Sequence, residues 1–367
     1  MDGKHSPRRP VEEREELLRP ARRQPKRKSV PALIVQDLLL LAAILLVFAF
    51  FHHVLPRMTA ASQTMPEPVR LATPAPEPTP EAAPEPSAAS EATPEPTPEP
   101  TPDPMDWRTK FEGRFSDEVV VTDHSYTSPN VAISIEKLVL DDPAQNAVFV
   151  ADIYIADLSC FQTRWAMDRL VYYGEESIES MSQKAGAILA VNGDYADAQK
   201  SGFLVRNGEL YYDEQTTNDI CVLFYDGTIE TFGPEEYLVA DILERQPYQV
   251  WKFGPRLLDG EGNPCAEYNT TGPIRDVNPR TGIGYYEPGH YCFVVVDGRQ
   301  GGYSAGMRID RFAQVFADLG CKAAYNLDGG QSSVMTFQHA MFNHPYLGGR
   351  ASGDILLICE PGTNEEG

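Results

Sequence analysis

The stretch YNLDGGQSSVM, Tyr325 to Met335, decides how the rest of the chain reads. A short apolar run ends in an acid, two glycines follow, and a hydroxyl pair leads into a second apolar run. Glycine takes positive φ without steric cost, so Gly329 and Gly330 can turn successive backbone N–H groups toward one point beside Asp328. Such a loop suits an anion held next to a carboxylate. Taken alone, DGG reads rather as a tight hairpin turn chosen for its geometry.

Working outward, the same pattern recurs. VVDGRQGGYSAGM (Val295 to Met307) ends an apolar run with Asp297 and passes Arg299 into a glycine-rich loop. That pair serves equally as a charged ligand site at a sheet edge or as a clip that shuts the loop. AVNGDY (Ala190 to Tyr195) delivers Asn192 and Asp194 after another apolar run, and turn chemistry by itself favours a hairpin there. NPRTGIG (Asn278 to Gly284) sets Arg280 and Thr281 just before a strand-like run, and FGPRLLDG (Phe253 to Gly260) supplies an architectural corner at Gly254 and Pro255. A guanidinium fork matches phosphate oxygens, which makes Arg280 and Arg299 the natural anion ligands. Ser332 reads as a hydrogen-bond donor, because GGQSS is not a nucleophile elbow and neither His339 nor His344 has the spacing of a base.

Short β-rich runs dominate beyond residue 106, among them VAISIEKLVL, AVFVADIYIAD, GAILAVNGD, DICVLFYDG, HYCFVVVDG and GDILLICE. Helical spacing is clear in RIDRFAQVFADLG, with Ile309, Phe312, Phe316 and Leu319 on one face and Gly320 closing the C-terminus. A second helix is expected around Glu176 to Lys184. The fold class is α+β, a strand-rich mixed single domain with few helices over 106–367.

Ahead of it, residues 1–30 form a basic arm with ten Lys and Arg against five acids. VPALIVQDLLLLAAILLVFAFF (Val30 to Phe51) follows, close to the length that crosses a bilayer, and 31–54 is assigned as a transmembrane signal-anchor helix. Gln36 and Asp37 shorten its unbroken apolar part, and a cleavable signal peptide is the competing reading. Positive-inside orientation keeps the arm in the cytoplasm and places the remainder outside. Residues 55–105 repeat Pro with Glu, Thr and Ala, have almost nothing apolar to bury, and read as a disordered, extended linker.

The formal net charge is −22, and a nucleic-acid-binding field is therefore excluded. Any phosphate must be met by a few local groups. Six cysteines, an even number in an exported domain, permit disulfides without indicating a pairing, and none has zinc spacing.

Five ordered motifs between about Ala187 and Cys359, with Asn343, Pro345 and Arg350 downstream, resemble the phosphodiester glycosidase family, whose members include an enzyme that removes N-acetylglucosamine from phosphate and bacterial exopolysaccharide-type relatives. The resemblance implies hydrolysis of a sugar 1-phosphodiester at the anomeric carbon. Two carboxylates can divide such work. It implies catalytic roles among Asp297, Asp328 and Asp194, and substrate binding by Asn192, Arg280, Thr281, Arg299, Asn326, Gly329, Gly330, Ser332 and Arg350. The expected partner is a phosphodiester-containing envelope or exopolysaccharide glycan. No cofactor is identified, although three acids brought together would suit a hard cation such as calcium. A non-catalytic glycan-binding or assembly protein and a P–O-cleaving phosphodiesterase are the alternatives.

Overall fold

HYCFVVV, His290 to Val296, is apolar at nearly every position, and a strand of that kind must be covered on both faces. In the computed structural model it is: Phe293 and Val295 point into one core cluster, while Cys292, Val294 and Val296 point into another. The period-2 alternation of a strand divides the run between the two. The structure describes residues 30–49, 67–72, 106–141 and 144–362. They fall into two units, Met1–Thr59 and Ala60–Gly367.

The first unit contributes helix α1 (Val30–Ala49), whose described leucines are exposed. Among the described residues no helix is long and apolar enough to cross a membrane. The basic arm before this helix, the anchor residues past Ala49 and most of the linker lie outside the described residues. Within the linker range, residues 67–72 are described and form a short edge: β1 (Val69–Arg70) pairs with Leu210 and Glu209.

The second unit holds three antiparallel sheets. The seven-stranded one orders β15 (Ala323–Asn326), β13 (Arg280–Glu287), β14 (His290–Val296), β5 (Asn146–Ile155), β4 (Val131–Leu140), β3 (Ser125–Thr127) and β2 (Val120–Val121). The five-stranded sheet orders β17 (Ala340–Met341), β16 (Met335–Phe337), β7 (Leu189–Asn192), β18 (Asp354–Ile358) and β6 (Phe161–Trp165). The six-stranded sheet adds β9 (Glu209–Asp213), β8 (Phe203–Arg206), β12 (Pro247–Trp251), β10 (Ile220–Phe224) and β11 (Ile229–Phe232) to β1.

The main core draws on all three sheets, with Phe149 and Phe293 from the first, Leu189 and Leu356 from the second, and Leu223 and Trp251 from the third. Helices cover the outer faces. α2 (Ile178–Lys184), capped by Ser177, sets Ile178 and Met181 against Ala190 and Leu357. α3 (Val239–Glu244) brings Ile242 to the six-stranded sheet, and α4 (Gly272–Arg275) is a single turn. α5 (Ile309–Asp318) packs Phe312 and Phe316 on the back of β14, and Gly320 follows at φ +81, as its C-terminal glycine predicts. The strand-rich α+β reading therefore holds.

Candidate active site

β13 runs antiparallel to both its neighbours, with Arg280 opposite Val296 and Gly282 opposite Asn326. The start of β13 and the ends of β14 and β15 consequently share one edge of the sheet. That register, and no proximity in sequence, gathers Arg280, Arg299 and the DGG loop. From the five-stranded sheet, the end of β7 adds Asn192, whose Nδ2 donates to the Asp328 carbonyl at 2.8 Å. Its Oδ1 accepts from Thr281 Oγ1 at 2.7 Å and from the Val334 amide at 3.3 Å. Asn192 and Thr281, expected to bind substrate, are both fully buried and instead pin the loop to two sheets.

A pocket of about 150 Å³ opens here. Arg280, Arg299, Asn326, Asp328, Gly329 and Gly330 line it, together with Phe253 and Asn278. Asn326 donates to the Gly254 carbonyl at 2.9 Å, while its buried Oδ1 has no partner. Arg280 Nε and Nη2 donate to the carbonyls of Met307 and Asp276 at 2.9 and 2.5 Å. Arg299 Nη2 donates to Asn278 Oδ1 at 2.7 Å. Neither arginine makes an ion pair among the described residues. Burial, and then repulsion from Arg308, push Arg280 down to about 10 against the opposing pull of Asp276 and Asp310, so it remains a cation at neutral pH.

The loop itself differs from its expected form. Only Gly330 has positive φ, at +71, whereas Gly329 is extended at φ −128. Their N–H groups are also taken: Gly329 N donates to Asp328 Oδ1 at 2.9 Å and Gly330 N to the Pro279 carbonyl at 3.0 Å. The backbone anion cradle expected of the two glycines is therefore not formed. What they supply is room, since a Cβ on Gly330 would stand 3.2 Å from Arg299 Nη2 and one on Gly329 would stand 2.9 Å from the Pro279 carbonyl. The guanidinium lies over the loop because glycine is there.

Asp328 is the one predicted acid on the pocket wall. Its Oδ2 meets Arg350 Nη2 at 2.9 Å, and its side chain is 14% exposed. Burial raises its pKa, while Ser332, Arg350 and the Gly329 amide work against that rise. Ser332 Oγ accepts from Arg350 Nε at 2.9 Å and donates to Asp328, linking the two. Asp297 lies elsewhere, with Oδ1 accepting from Asn343 at 2.7 Å and Oδ2 from Tyr303 at 2.9 Å and the His344 amide at 3.0 Å. It is fully buried and clips the two loops together, which is the simpler of its two sequence readings.

Asp194 is likewise fully buried, with Oδ1 2.6 Å from Arg206 Nη2 and Oδ2 accepting from the Lys252 amide at 2.7 Å. Sequence reasoning missed its partners. Arg206 is the lone charge in the apolar run FLVR, and Asp354 opens β18 after a glycine, just as the other singled-out acids sit beside glycines. Asp197 also escaped notice. It is 1% exposed with both carboxylate oxygens unpartnered, and burial beside Asp354 pushes it up to about 8. Among the described residues no three His, Cys, Asp or Glu side chains group to hold a metal ion.

These elements form one pocket on a three-sheet domain, and residues 185–359 match the family model described as phosphodiester glycosidase. The resemblance carried by the sequence motifs is thus shown over that segment. A SPbeta prophage-derived uncharacterized protein of Bacillus subtilis strain 168, YomE, is 28% identical over 200 residues, 52% of this chain. The chain spans 31% of the length of that curated relative. The catalytic domain of zebrafish N-acetylglucosamine-1-phosphodiester alpha-N-acetylglucosaminidase, solved in a form auto-inhibited by its pro-peptide, shares the fold. It aligns with a TM-score of 0.52 and 21% identity over 63% of this chain and 83% of that one. A hypothetical protein from Synechocystis aligns at a TM-score of 0.44 and 11% identity, covering 63% of this chain and 62% of that one.

Proposed function

We propose that the domain hydrolyses the glycosidic bond of sugar 1-phosphodiesters, of the N-acetylglucosamine-1-phosphodiester kind, in envelope or exopolysaccharide glycans. One observation carries this reading: a single pocket is walled by two arginines that make no close ion pair among the described residues and by one carboxylate, Asp328. Arg299 and Arg280 favour a bound phosphodiester anion at their end of the pocket. Asp328 then faces the anomeric carbon. Phosphate leaves without needing a proton, so one carboxylate suffices, either to take a proton from the attacking water or to stabilise positive charge on the ring. The C–O bond to phosphate breaks, water oxygen joins the sugar carbon, and a phosphomonoester departs. Asp194 and Asp297 act as positioning residues in this scheme.

The immediate test uses the purified exported domain, a synthetic N-acetylglucosamine 1-phosphodiester and oxygen-labelled water. Label in the sugar supports the proposal; label in phosphate transfers the reading to a P–O-cleaving phosphodiesterase. Binding without turnover leaves a glycan-binding protein, the alternative favoured by the lack of a second pocket carboxylate.

The apolar segment within 31–54 supports a single-pass anchor that holds the domain outside the cytoplasm. If the full-length protein washed out of membranes in alkaline carbonate, this part would fall.

A further inference from the structure

Beside Asp328, on the side marked by Arg350, three half-buried tyrosines form one cluster. Tyr172 and Tyr173 have ring centroids 4.5 Å apart, and Tyr173 and Tyr195 6.5 Å apart. Arg350, which holds Asp328, lies 5.9 Å from the Tyr195 ring, and Lys200 Nζ lies 4.1 Å from the ring of Tyr172. Two of these tyrosines hold left-handed backbone, Tyr173 at φ 54 and Tyr195 at φ 61. Bulky residues seldom sit there, and such conformations cluster where a side chain must point in a set direction. The Tyr195 hydroxyl, pushed up to about 12 chiefly by burial, also feels Asp328 and Arg350, which sets it on the same side of the pocket.

From this arrangement we infer that Tyr173 and Tyr195 are the sugar-recognition platform, taking the ring whose anomeric carbon faces Asp328, while Arg280 and Arg299 take the phosphate. The inference rests on the function proposed above. A pyranose presents one apolar C–H face and a rim of hydroxyls, and the cluster offers matching chemistry: aromatic surface edged by a guanidinium, a carboxylate and phenolic hydroxyls. A second phosphate here would meet Asp328. On this reading the site runs from the arginine-lined pocket, across Asp328, to the tyrosine cluster that borders Arg350.

The test separates binding from turnover. Affinities of the exported domain for a non-hydrolysable N-acetylglucosamine 1-phosphonate ester and for inorganic phosphate are compared across Tyr195→Ala, Tyr195→Phe, Tyr173→Ala and Arg299→Ala. The two tyrosine-to-alanine variants are expected to weaken the sugar ligand by roughly tenfold or more and leave phosphate unchanged, with Tyr195→Phe retaining most sugar affinity. Arg299→Ala is expected to weaken both ligands. Folding of each variant is checked by its thermal transition. Equal losses for sugar ligand and phosphate in a folded Tyr195→Ala variant, or no loss for either, would overturn the platform. Failure of the parent to turn over its substrate while this pattern holds would sink hydrolysis and leave the platform standing.

Discussion

Arg206 and Asp194 meet at 2.6 Å with relative exposures of 1% and 0%, and the same guanidinium reaches Asp354 Oδ2 at 3.0 Å. One guanidinium thus lies against two acids in a space closed to water, joining the six-stranded sheet to the five-stranded one. Removing it strands both acids, and breaking a buried pair costs about 3–5 kcal/mol. Arg206→Met, which keeps the volume, should lower stability by that order in denaturant unfolding. A loss under about 1 kcal/mol would mean that water reaches this triad.

A second prediction concerns pH. Asp197 is pushed up to about 8 by burial and Asp354 to about 7, so the folded protein binds protons that the unfolded chain releases near pH 4. Both groups stabilise the fold fully only while protonated. Stability from these groups should therefore fall as pH rises from about 4 towards 8 and level off beyond. Asp197→Asn keeps the shape and removes one titration, so its stability should vary less with pH over that window. An unchanged slope in urea unfolding across pH 5 to 8 would refute the assignment.

Arg350 is predicted to set the acidic limb of the activity profile. It lowers the pKa of Asp328, and its removal by Arg350→Ala should raise that pKa. If ionised Asp328 is the working form, the acid limb of kcat/KM moves to higher pH in the variant. A limb that stays in place would detach Arg350 from the chemistry.

The sulfurs of Cys292 and Cys321 lie 3.7 Å apart across Gly284, where an added Cβ would sit 2.6 and 2.7 Å from them. Gly284→Ala should destabilise by about 1–3 kcal/mol through overpacking. A thermal transition equal to the parent's would show that this part of the core yields.

Strand runs, α5 and the Gly320 stop were legible because apolar period and glycine placement are local properties. Asp328, Arg280 and Arg299 were also legible, since each lies where an apolar run meets a glycine loop. What failed was telling an acid on the pocket wall from one buried among protein partners. Asp297 and Asp194 carry the same local signature as Asp328, but their partners Asn343 and Arg206 are 46 and 12 residues away and only the sheet register brings them in. Tyr173 and Tyr195 come from separate segments, so their cluster has no contiguous signal.

Asn192, the last residue of β7, fastens the floor of the cleft to β13 of the seven-stranded sheet through its side chain. A floor fixed in this way leaves little freedom to remodel around a new ligand. Diversification on such a scaffold would proceed by exchanging rim side chains, with loop lengths held constant, and binding would carry a small entropic penalty because little remains to be ordered.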